Sequence, residues 1–89
     1  MFASLNYPSL LWDIKSETRM KSELEFIEDI YLALQTEVWR EIKTGSFIMA
    51  IKTDGIRASL RNRIVLLSGR DGQDVQETIE QMAFHKVYK

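Results

Sequence analysis

Seven apolar residues, Met20, Leu24, Ile27, Tyr31, Leu34, Val38 and Ile42, follow one another at spacings of 4, 3, 4, 3, 4 and 4. That period marks one face of an α-helix, and Ile30 and Ala33 widen the stripe. Ser16 suits the N-cap, and Glu17 lies where the positive end of the helix dipole would be. Gly45 supplies a C-terminal stop, with Lys43 in the last turn. A helix over residues 16–43 would run about 40 Å. A compact domain of this length is only about 26 Å across. Either the helix breaks, or part of its stripe projects and meets a partner. The 89 residues suffice for a single domain with one core, and no repeat, linker or low-complexity tract divides them.

The flanking segments read differently. Residues 1–15 form an apolar N-terminal arm containing Phe2, Leu5, Tyr7, Leu10, Leu11, Trp12 and Ile14. Loose alternation over residues 2–7 makes them a candidate strand, with Pro8 ending it or opening a helical turn. After Gly45 the apolar period changes to two. Residues 47–52 read as a strand, and Asp54-Gly55 is a favoured two-residue hairpin turn. The register that follows puts Phe47, Met49, Ile51, Ala58 and Leu60 on a core face. Lys52, Arg57, Ser59 and Arg61 then share the other face. Asn62-Arg63 turns into a third strand over residues 64–67, and residues 68–73 form a loop. Asp74 and Glu77 resemble a capping box, opening a last helix with Val75, Ile79 and Met82 on one face and an end near His85. The expected fold is therefore two-layer α+β. A long N-terminal helix and a C-terminal helix pack on a three-stranded antiparallel meander, with the extra N-terminal strand as an option.

Charge is unevenly placed. The chain carries 12 Lys and Arg against 13 Asp and Glu. Between residues 46 and 70, Lys52, Arg57, Arg61, Arg63 and Arg70 face Asp54 alone, a surplus of four, so the rest must carry −5 to reach the net of −1. Like charges facing across strands are unfavourable, so Lys52, Arg57, Arg61 and Arg63 form either a solubilising face, partly neutralised by acids of this chain or a second subunit, or a surface that binds an acidic protein partner or phosphate. No aromatic residue shares that face to stack on an RNA base. Trp12 of the arm, Tyr31 and Val38 of the stripe, and Trp39 of the same long helix are the candidate partner or dimer contacts.

Enzymatic chemistry finds little support. Zero Cys excludes disulfides, thiolate ligands and a thiol nucleophile, and a lone His85 cannot make a multi-histidine metal site. The like-charged pairs Glu25/Asp29 and Glu37/Glu41 are four apart and read as a solvated helix face. The 68–73 loop carries Gly69 and Gly72 but neither glycine-rich phosphate motif, and Asp71 and Asp74 would repel an anion. No cofactor and no metal are expected. With no signal-peptide pattern and no apolar run of membrane length, a cytoplasmic protein is expected.

The inferred order of elements resembles the small ribonuclease toxins of bacterial toxin–antitoxin pairs in arrangement and length. No motif carries catalytic residues across, and such toxins are typically strongly basic. The leading expectation is a non-enzymatic binding or regulatory protein acting through protein–protein contact as a homodimer. The alternative is RNA binding through the basic sheet face, including a ribonuclease-toxin-like activity.

Overall fold

The computed structural model describes the backbone of residues 2–89 and the side chains from Arg19 onward. Four helices follow one another: α1 (Phe2–Lys43), α2 (Ile48–Lys52), α3 (Asp54–Ser68) and α4 (Gly72–Tyr88). There is no strand among the described residues, so the expected α+β fold with its meander is corrected to a small all-helical bundle.

The correction has a readable cause. Over residues 54–68 the covered residues are Arg57, Ala58, Leu60, Arg61, Ile64, Val65, Leu67 and Ser68, which recur at helical spacings of three and four and not in alternation. Leu and Arg, both strong helix formers, supply six of the fifteen residues of this stretch. Asp54, expected in a hairpin turn, is instead the acidic residue in the first turn of α3, favourably placed at its dipole. The four apolar residues 64–67 are not a doubly covered strand. Ile64 is fully buried, Val65 and Leu67 are half-buried and Leu66 is exposed, as one helical turn requires.

The other boundaries moved less. Residues 2–7 are the opening turns of α1 and not a strand. The stop at Gly45 is realised as a Schellman motif: with φ +87°, the N–H of Gly45 donates to the carbonyl of Ile42 at 2.9 Å, and Ser46 N–H to Glu41 at 2.9 Å. Gly69 ends α3 in the same left-handed region at φ +72°, donating to Val65 at 2.9 Å. α4 begins two residues earlier than Asp74, and the expected capping box is replaced by Arg70, whose guanidinium clasps Asp74 at 2.8 and 3.0 Å.

Cross-helix bonds set the directions. Arg63 reaches Glu23 and Arg57 reaches Gln35, so α3 runs antiparallel to α1. Arg61 reaches Gln76, and a Cβ at Gly72 would sit 3.6 Å from Val65, so α4 turns back along α3. The C-terminal half of α1, α3 and α4 thus form an up–down–up bundle, with α2 bridging the first turn. Its core is Ile27, Tyr31, Ile64, Val75 and Ile79, with Leu24, Leu32, Leu60, Val65 and Leu67 packed around them. Expected stripe members Ile27, Tyr31 and Val38 are buried.

The long helix does not break. At 1.5 Å per residue its 42 residues span about 63 Å, while α3 and α4 span only about 22 and 26 Å. The principal extents are 66 × 25 × 18 Å, so the long axis of the molecule is essentially α1. The radius of gyration of 17.9 Å far exceeds the roughly 12 Å of a compact chain of this length. Among the described residues the core on α1 starts at Leu24 and α3 reaches Glu23, so the excess length of α1 lies toward its N-terminus.

Candidate interaction surface

The helical fold disperses the expected basic patch. Arg57, half-buried, donates from Nη1 to Gln35 Oε1 at 2.9 Å, from Nε to Thr53 Oγ1 at 3.2 Å and from Nη2 to the Ala50 carbonyl at 2.7 Å. It is an internal clamp joining α1, α2 and α3. Arg61, four residues on and therefore on the same helix face, donates to Gln76 Oε1 at 2.7 Å. Arg63 points elsewhere and pairs with Glu23 of α1 at 2.6 Å. Lys52 alone is exposed without a hydrogen bond or ion pair among the described residues. Three of the four cations are thus engaged by their own chain.

The candidate contacts divide as well. Tyr31 and Val38 lie in the core, their surfaces already covered. Burial pushes the Tyr31 hydroxyl above its usual 10.0, and the Glu80 charge adds to this against the opposing pull of Arg61 and Arg57. The Trp12 side chain lies outside the described residues. Trp39 remains partly exposed and organises a surface cluster.

That cluster joins α1 to the end of α4. The Trp39 indole N–H donates to the Glu80 carbonyl at 3.0 Å, which fixes the ring against α4. Its plane meets Phe84 at 86° with centroids 5.4 Å apart, and Tyr88 at 80° and 6.4 Å. Phe84 and Tyr88 stack at 4.4 Å. The Lys43 ammonium sits 5.3 Å from the Tyr88 ring centre and donates to the Val87 carbonyl at 3.3 Å. A depression of about 300 Å³ opens here, lined by Trp39, Glu80, Gln81 and Phe84. Glu80 also lines a second, more polar groove of about 580 Å³ between α3 and α4, together with Arg61, Asn62, Gln73, Gln76 and Glu77.

Sequence reasoning missed Glu80, Phe84 and Tyr88, although their spacing of four was present. The expected helix ended near His85, which left Tyr88 outside it. The actual end at Tyr88 aligns all three on one face.

A second surface lies on α2, none of whose residues is buried. Met49 and Ala50 turn inward, while Phe47, Ile48 and Ile51 face out, Ile51 at 76% exposure. Of the expected 68–73 loop only residues 69–71 lie outside α3 and α4: Ser68 Oγ donates to the Ile64 carbonyl at 2.6 Å, and Arg70 folds onto Asp74 and Thr78. No group of His, Cys, Asp and Glu able to hold a metal ion exists among the described residues, and none of their helices is long and apolar enough to cross a membrane. His85 is exposed beside Phe84.

No protein-family model, curated protein or solved structure matches the chain. The resemblance to ribonuclease toxins rested on an α+β order of elements and ends with it.

Proposed function

We propose that this chain is a non-enzymatic binding or regulatory protein that works by protein–protein contact and pairs with a second copy of itself along α1. The observation that carries this reading is a 42-residue helix whose partner helices have 15 and 17 residues. Helices in water draw most of their stability from packing an apolar face on a neighbour. The overhang includes seven large apolar residues between Phe2 and Ile14. We assign a second chain as the neighbour of this segment. The internal engagement of Arg57, Arg61 and Arg63 favours protein contact over nucleic acid. A cytoplasmic location belongs to the same reading, supported by the cysteine-free sequence.

Light scattering during gel filtration tests it. The full chain is expected at twice its 10.4 kDa mass, and a version lacking residues 2–18 at the monomer mass with its bundle still folded. A full-length monomer at high micromolar concentration overturns the pairing.

A further inference from the structure

We infer that the corner between Trp39, Phe84 and Glu80 is a pocket for an organic cation, the guanidinium or ammonium head of a basic side chain on a partner protein. The pairing along α1 is not needed for it. Two aromatic planes standing at 86° form two walls of a box whose ring faces carry the negative lobe of the quadrupole. The walls are preformed. Trp39 is pinned by its hydrogen bond to the Glu80 carbonyl, and Phe84 is backed by the stacked Tyr88 ring. Binding therefore requires no reordering of either wall.

Glu80 is the acidic residue of the lining. Its carboxylate accepts one long hydrogen bond, from Gln76 Nε2 at 3.4 Å, which leaves acceptor capacity for an incoming donor. An apolar ligand covering that carboxylate would strip its water without replacing it, whereas a cation compensates the charge. Lys43 shows that the cluster already attracts one ammonium. It is held at the far end by the Val87 carbonyl, over Tyr88 and away from the residues that line the depression. Arg61, the nearest cation in the adjoining groove, is committed to Gln76.

Size and continuity point to a side chain on a polypeptide. About 300 Å³ is at the lower end for ligand pockets and suits one long side chain. Through Glu80 it adjoins the 580 Å³ groove, where Gln73, Gln76 and Glu77 offer amide and carboxylate partners to flanking backbone. This surface thus fits a segment with a single arginine or lysine as its anchor.

The test uses Trp12→Phe as the parent, so that Trp39 is the one remaining indole. An acetylated, amidated Gly-Arg-Gly peptide is titrated while Trp39 fluorescence is read, with Gly-norleucine-Gly as the uncharged control. Saturable change with the arginine peptide and none with norleucine is expected. Glu80→Gln should weaken binding about fivefold or more, the loss of one charged contact. Glu25→Gln, an exposed carboxylate that lines neither depression, should bind as the parent does. Equal response to both peptides, or full affinity in Glu80→Gln with its helical circular dichroism intact, overturns the assignment.

Discussion

Two arginines six residues apart on α3 should respond unequally to removal, and the contrast tests how this bundle is held together. Arg57 has a side chain only 13% exposed, and it bonds Gln35, Thr53 and Ala50 at once. Its 3.8 Å contact with Asp54, a side chain 83% exposed, contributes little in comparison. Replacing Arg57 by Leu leaves the Gln35 amide oxygen without its donor in a residue only 2% exposed. An unpaired buried acceptor costs about 1–3 kcal/mol, and the two further bonds bring the total to about 2–4 kcal/mol. A chain of this length has a total stability of roughly 4–13 kcal/mol, so the loss is a large fraction of it. Tm should fall by roughly 10–25 °C. Arg63→Ala removes an ion pair whose side chains are 50% and 36% exposed, and should cost no more than about 1 kcal/mol. Urea titrations of the two variants, followed by circular dichroism, measure both. Gln35→Leu combined with Arg57→Leu should recover about 1–2 kcal/mol of the sum of the two single losses, because the orphaned acceptor goes with its donor. An Arg57→Leu loss no larger than that of Arg63→Ala would refute the clamp.

The alkaline limb of stability should depend on Tyr31. Its folded pKa is raised above the unfolded 10.0, so its contribution is intact below 10 and is lost as pH rises through the folded value; Tyr31→Phe should unfold at higher pH, as read by helical signal against pH. Glycines in α3 should separate by backbone angle, since a Cβ meets open space at both Gly69 and Gly55. Gly69→Ala at φ +72° should lose about 1 kcal/mol, whereas Gly55→Ala in the first helical turn should gain about 0.5 kcal/mol, both measured by thermal melting.

The interaction surface was partly legible. Trp39 stood out as a large aromatic on the long helix, and it is the residue that organises the cluster. Its neighbours Glu80 and Phe84 lie more than 40 positions away, and only the packing of α4 on α1 brings them to it. Tyr31 and Val38 looked equally available because an apolar stripe carries no mark of which turns face the same chain. The basic residues looked like a patch because they are dense in sequence. On α3 they diverge, since residues two apart, such as Arg61 and Arg63, point to different sides of a helix.

By itself the sequence determined the long stripe, the stop at Gly45, a last helix near Asp74 and the absence of cysteine. Those are local properties, set by period and by backbone angles that few residues other than glycine accept. It did not determine the state of residues 47–67, where alternation and a helical spacing coexist and Asp54-Gly55 suits either a hairpin or a helix start. Tertiary packing decided it. As a helix this stretch seals Leu60 and Ile64 against Ile27, Tyr31, Val75 and Ile79, and gives the buried Gln35 its partner in Arg57. Burial of that whole face outweighs the weaker local preference for strand.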